Sequence, residues 1–314
     1  MSSRNPWQQR VDTYVAERRR AGFKLSIAAK QLAAFARFTQ QLHHRGPLTL
    51  ELASAWALAS RSGARLTAAR RIEVLRGFAR YCQQWDPATQ VPPRSLFGPA
   101  HRRLTPHIYT DSEIEVLLTA AARLPPPGGL RAASFTTFLG LIAATGLRIS
   151  EAAGLLRSDV DLERGILLVR HAKFGKTRWV PVHPTTVRAL KRYARRRDRE
   201  CPGTTQEAFF IRSNGRAFLP EHARHAFQQL RQALGWRPRG GHAAPRIQDL
   251  RHRFVCRRLL RWYHDGQDID RHILALSTYI GHVKVTDTYW YITATPELMA
   301  MAARRSEHSS GGVQ

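Results

Sequence analysis

Three short segments gather side chains that phosphate chemistry uses. In Thr145–Asp161 (TGLRISEAAGLLRSDVD) Arg148 follows Thr-Gly-Leu at a turn where a helix begins. In Ile247–Phe254 (IQDLRHRF) Arg251 opens an Arg-His-x-Phe run, three residues after Gln248. In Tyr279–Ile292 (YIGHVKVTDTYWYI) a Gly-His pair ends at His282, and Tyr291 follows nine residues later, with Tyr289 just before it. A guanidinium is planar, permanently charged and able to grip two oxygens of one phosphate. A tyrosine oxygen can attack phosphorus and hold it covalently, splitting one hard exchange into two easier transfers. A phosphotyrosine stores nearly the energy of the phosphodiester it replaces, so these residue types suit breaking and rejoining such a bond without ATP.

The charge points to the same kind of substrate. The 314 residues carry 50 Lys and Arg against 23 Asp and Glu, a formal net charge of +27 and a pI near 11.4. An acidic polymer is the partner such a balance implies, nucleic acid first. Hydrophobic residues at 43% with seven Trp are enough for packed cores, which excludes a disordered basic tail. The longest apolar stretch, around Phe135–Leu147, is too short to span a bilayer, and the N-terminus has no apolar core of a signal peptide. Cys82, Cys201 and Cys256 are scattered and form no framework, as in a reducing compartment. These features set the expectation of a cytoplasmic, nucleoid-associated protein. His222 and His225 share a helical face but lack a third ligand at metal-like spacing, and no Gly-rich phosphate loop occurs, so neither metal nor cofactor is expected.

The elements that must position these residues fall into two parts. Residues 1–103 hold 18 Lys and Arg against five Asp and Glu, and apolar residues recur there at helical spacing: Leu32, Phe35, Phe38 and Leu42, then Ile72, Leu75, Phe78 and Cys82. A bundle of about four helices is expected, with no strand. Residues 86–106, rich in Pro, Arg and Gln, read as an extended linker. Thr110 to Glu113 carries the signature of a capping box, and a second domain runs over 107–300, with a polar tail at 301–314. Within it Phe135–Ala144 reads as a buried helix. Ile166–His171 and Arg178–Val182 read as a β-hairpin, and Ala208–Ile211 as a third short strand. Helices are expected at Pro184–Arg199, Glu221–Leu234, Asp249–Tyr263 and Ile269–Ile280. The fold class is mainly α with a small β-sheet (α+β). Two basic bodies on an extended linker would be able to close around a duplex.

The three segments, in this order and with a hairpin between the first and second, resemble the tyrosine recombinase/integrase family of DNA strand-exchange enzymes. The resemblance covers essentially the whole chain, and the closing YWYI-TATPEL run looks most like members carried by transposons or integrative elements. It implies an N-terminal helical core-binding domain, a catalytic domain, double-stranded DNA as partner and a homo-tetramer on paired sites. It also implies a site. Arg148 and Arg251 would stabilise charge on the non-bridging oxygens. Lys173 in the hairpin, or less favourably Lys176, would protonate the leaving oxygen. His282 would bind a phosphate oxygen or orient the nucleophile, Tyr291, whose spacing from His282 favours it over Tyr289. Beside these, His252 is expected to support the site by hydrogen bonding rather than by touching phosphate, and Glu151, one turn into the helix after Arg148, to fix local structure.

One position departs from the pattern. Where the family has His or sometimes Lys, this chain has Gln248, which donates a hydrogen bond but carries no charge or proton at neutral pH. Three activities therefore compete: a recombinase/integrase working through a 3′-phosphotyrosyl intermediate, a weakened DNA-binding accessory protein of the same descent, and a relaxing enzyme of the type IB topoisomerase kind.

Overall fold

A computed structural model describes residues 5–60, 63–101, 103–170, 177–292 and 298–301. The chain divides into two compact units, Met1–Arg103 and Leu104–Gln314. The first is built from four helices: α1 (Pro6–Arg20), α2 (Ser26–Gln41), α3 (Leu50–Leu58) and α4 (Arg65–Gln83). Each helix contributes an aromatic residue to one core, where Trp7, Phe35, Trp56 and Phe78 meet edge to face at 5.4 to 6.3 Å. Such contacts add to the gain from area burial alone. The helical spacing is realised with one exception, because Leu42 caps α2 and is 54% exposed.

The Pro-rich segment after α4 does not run free. Gln90 N donates to the Leu48 carbonyl (2.8 Å), Arg76 Nε to that of Pro92 (2.6 Å) and Arg70 Nε to that of Ala100 (3.2 Å). Val91, Leu96 and Phe97 pack on the helical core. The expected linker is therefore mostly a strap on the first unit, since burying three apolar side chains outweighs the freedom of the chain.

The second unit contains α5 (Asp111–Ala122), α6 (Leu130–Thr145), α7 (Ile149–Ala153), β1 (Val160–Asp161), β2 (Ile166–Val169), β3 (Arg178–Pro181), α8 (Pro184–Glu200), α9 (Pro220–Ala233), α10 (Ile247–His264), α11 (Ile269–Ile280) and α12 (Thr286–Tyr289). The Thr110 capping box opens α5: Glu113 N donates to Thr110 Oγ1 (3.1 Å) and Thr110 N to Glu113 Oε2 (2.8 Å). Buried α6 packs against α5, α8 and α10. The sheet is antiparallel in the order β1-β2-β3, with Ile166 opposite Pro181 and Val169 opposite Arg178.

The third strand is thus Val160–Asp161, and Ala208–Ile211 forms only isolated bridges. The reason lies in where its backbone is satisfied. Ile211 N donates to the Tyr193 hydroxyl (3.0 Å) and its carbonyl accepts from Ser134 Oγ (2.8 Å), so side chains of α8 and α6 take the place of a ladder. The α10 helix links two apolar clusters: Ile247 and Leu250 belong to the large one around α6, and Val255, Cys256 and Leu259 to a smaller one with α11, Tyr291 and Leu298. No helix among the described residues is long and apolar enough to cross a membrane.

Candidate active site

Helix ends build the site. Gly146 caps α6 at φ 66°, a left-handed turn that favours glycine, and a Cβ there would come within 2.6 Å of the Phe254 ring. Gly281 caps α11 in the same way at φ 71°, where a Cβ would meet Arg178 Nη1 at 2.6 Å. Carbonyls at helix C-termini lack partners within the helix and carry the negative end of its dipole. Arg251, 1% exposed, uses both ends: Nη1 donates to the Gly146 carbonyl (2.7 Å) and Nη2 to that of Ile280 (2.7 Å). Burial, with the Arg148 charge nearby, pulls its pKa down to about 10, so it remains a cation at neutral pH.

Arg148 stands at the start of α7 and donates from Nη2 to the Gly281 carbonyl (3.2 Å). Its Nη1 pairs with Glu151 Oε1 at 2.7 Å. The same carboxylate, 3% exposed, accepts from Arg178 Nη1 (3.1 Å) and Nη2 (2.9 Å). Burial pushes the Glu151 carboxyl up, but the Arg178 and Arg148 contacts outweigh it and hold the pKa below the usual carboxylate range. One anion therefore pairs with two guanidiniums, with the Arg251 charge nearby, and the excess positive charge is what a phosphate would neutralise.

Tyr291, 3% exposed, follows α12, and its ring stacks on His282 with centroids 6.0 Å apart. Its ring also lies 5.2 Å from that of His252. His282 Nδ1 hydrogen-bonds with Thr288 Oγ1 (2.8 Å), and Tyr291 N donates to the Thr288 carbonyl (3.0 Å), so one buried threonine ties the imidazole to the tyrosine segment. Burial, aided by the charges of Arg251 and Arg148, brings His282 down to about 3. Burial likewise brings His252 to about 4, and its Nδ1 has no hydrogen-bond partner among the described residues. Both rings are neutral at pH 7. Burial also raises the Tyr291 pKa despite Arg251, so its hydroxyl is protonated here rather than pre-ionised by a cationic pocket.

Tyr289 points elsewhere: 39% exposed, its hydroxyl donates to Asp270 Oδ1 (2.6 Å) on α11. Gln248 lies half-buried in the first turn of α10 and lines a cavity of about 410 Å³ with Ile149, Arg224, Arg231 and Arg246. Lys173 and Lys176 fall outside the described residues. The structure thus gathers Arg148, Arg251, His282 and Tyr291, with His252 and Glu151 beside them. Sequence reading missed Arg178 and Thr288. A signal existed for Arg178, an inward-facing charge in a hairpin strand; for Thr288 there was none.

Residues 108–297 match the family model described as "Phage integrase family". A Sinorhizobium fredii protein that carries the name integrase/recombinase y4rB is 37% identical over 305 residues, covering 96% of this chain and 97% of that one. Tyrosine recombinase XerC of Chlamydia pneumoniae is 25% identical over 75% of this chain and 70% of its own. Among solved structures, the Tn1549 transposon integrase in complex with transposon right end DNA has a similar fold, with TM-score 0.66, 18% identity and coverage of 96% and 99% of the two chains. The expected fold class holds, a mostly helical chain with a small sheet. The chain belongs to the phage integrase family, the tyrosine recombinases and integrases.

Proposed function

We propose that the protein cleaves and rejoins double-stranded DNA at specific sites through a 3′-phosphotyrosyl intermediate. Family membership supports site-specific recombination, and one observation carries the finer reading: Tyr291 and His282 stack at 6.0 Å with Arg251, and through it Arg148, beside them. Tyr291 Oη attacks the scissile phosphorus, an Oη–P bond forms and the P–O5′ bond breaks. Arg148 and Arg251 hold the non-bridging oxygens, where charge develops. When Nδ1–H of His282 donates to Thr288, Nε2 is left as an acceptor for the tyrosine proton. Lys173 supplies the proton to the leaving 5′ oxygen, and Gln248 donates to a phosphate oxygen. Reversal by a second 5′ hydroxyl restores the phosphodiester, so the cycle needs neither metal nor ATP. Residues 1–103 hold the DNA on this reading, 107–300 carry the chemistry, and a homo-tetramer pairs two sites, as the resemblance implies.

The test is a covalent trap. Wild type and Tyr291→Phe are mixed with DNA from the element's own ends, nicked so that cleavage cannot reverse, and adducts that survive denaturant are counted. Adducts in wild type alone support the assignment. Adducts in both remove Tyr291 as nucleophile, and none in either, with DNA still bound, favours the weakened accessory protein.

A further inference from the structure

Arg251 is pinned through its own side chain to two helix-end carbonyls, whereas the Gln248 side chain makes no hydrogen bond among the described residues. Its amide is therefore placed by the backbone of the first turn of α10, and whatever holds that turn aims it. Two contacts do so. Arg231 Nη1, on α9, donates to the Pro245 carbonyl (3.0 Å). Buried Tyr109 donates from Oη to the Arg246 carbonyl (3.1 Å), just before the helix, and its own carbonyl accepts from Arg253 Nε (2.9 Å) further along it. Tyr109 thus spans the first two turns of α10.

Tyr109 is fixed in turn by a clasp. Residues 105–109, at the start of the second unit, lie along the loop that leads into α10. Gly241 N donates to the carbonyl and to Oγ1 of Thr105 (both 2.9 Å), and a Cβ on Gly240 would run into the carbonyls of Thr105 and Pro106. Arg239 closes the clasp. Its Nη1 and Nη2 grip the two oxygens of Glu113 (2.8 and 2.6 Å), Nη2 also donates to the Ile108 carbonyl (2.9 Å), and its N donates to His107 Nδ1 (3.3 Å). A bidentate pair of this kind fixes geometry as well as charge. Glu113 is also the third residue of the capping box, so its carboxylate is tied to the start of α5. Burial pushes that carboxyl up, but Arg239 outweighs it and holds the pKa at about 2, so the pair is charged at neutral pH.

We propose that Arg239, paired with Glu113, is a positioning residue for strand cleavage: through Tyr109 it sets the first turn of α10, and with it the Gln248 amide that meets the phosphate. The inference rests on the DNA-cleaving reading above. The test follows adduct formation by the full chain on saturating nicked duplex, beside duplex affinity measured separately. Glu113→Gln keeps a capping-box residue at its place while removing the charge that grips Arg239. A hydrogen bond to a charged group is worth about 10- to 100-fold in rate. Glu113→Gln should therefore slow adduct formation at least about tenfold with affinity unchanged. Arg239→Gln should do the same, and Arg239→Lys, which keeps the charge, should recover part of the rate. On a Gln248→Ala background Glu113→Gln should change the rate less than about twofold, because the contact it aims is already absent. Tyr109→Phe removes only the hydroxyl and should repeat the pattern, which covers a clasp variant that melts below the assay temperature. A wild-type rate in Glu113→Gln or in Tyr109→Phe overturns the proposal. So does an equal loss on both backgrounds, the mark of a merely structural role, or a loss confined to duplex affinity. No adduct in wild type sinks the cleavage reading itself, and the proposal with it.

Discussion

Replacing Glu151 by Gln tests the electrostatics of the site directly. The carboxylate is 3% exposed and bridges Arg148 and Arg178, and in both partners the guanidinium has no other anion in contact among the described residues. Breaking a buried pair by removing one member costs about 3–5 kcal/mol. Arg148 is 23% exposed and partly screened, so the lower end, about 3 kcal/mol, is expected. For a unit of this size that is a fall in Tm of roughly 6–12 °C. The sign with pH follows from the depressed carboxyl. Its stabilisation is complete above the unfolded pKa and is lost as pH falls through the lower folded one, so wild type and Glu151→Gln should converge in acid. A DNA phosphate seated between the guanidiniums supplies the missing charge, so saturating duplex should narrow the gap at pH 7. Thermal unfolding of both proteins, with and without DNA across pH, measures all three effects. A variant within about 0.5 kcal/mol of wild type at pH 7, the scatter of ordinary surface substitutions, would refute the reasoning.

Tyr289→Phe should form covalent adducts at a rate within a few-fold of wild type, because its hydroxyl is spent on Asp270; the denaturant-resistant adduct assay reads this. Gln248→His should preserve or raise the cleavage rate measured on nicked duplex, and complete loss would show that the amide is required. His252→Phe should flatten the acid loss of Tm. With its folded pKa near 4, wild type loses stability as pH falls below the unfolded value, and the variant lacks that contribution.

The helices were legible because their apolar residues recur every three or four positions, and Thr110 announced α5 through its own side chain. The principal site residues were legible because each sits in a compact run. What escaped was pairing across distance. Arg178 meets a carboxylate 27 residues away and a carbonyl 101 residues away, and residue type alone says nothing of either. Phe209-Phe210-Ile211 has the composition of a strand, yet Ser134 and Tyr193 occupy its backbone groups. The prolines after α4 suggested an extended connection, while Val91, Leu96 and Phe97 between and beyond them anchored it.

The position of α10 between two apolar clusters has a consequence for opening. Arg148 follows directly on helix α6 of the larger cluster, whereas Tyr291 belongs to the smaller one with α11. At the site the halves are joined by Arg251 to the Gly146 and Ile280 carbonyls, by Arg148 to that of Gly281 and by Arg178 to that of Tyr279. The smaller cluster has fewer buried side chains to hold it, which lowers the expected cost of opening it locally. Amides of α11 and the tyrosine segment should exchange with solvent sooner than those of α6. Withdrawing the nucleophile as a block would therefore break the contact of Arg148 with the Gly281 carbonyl together with that of Arg251 with Ile280.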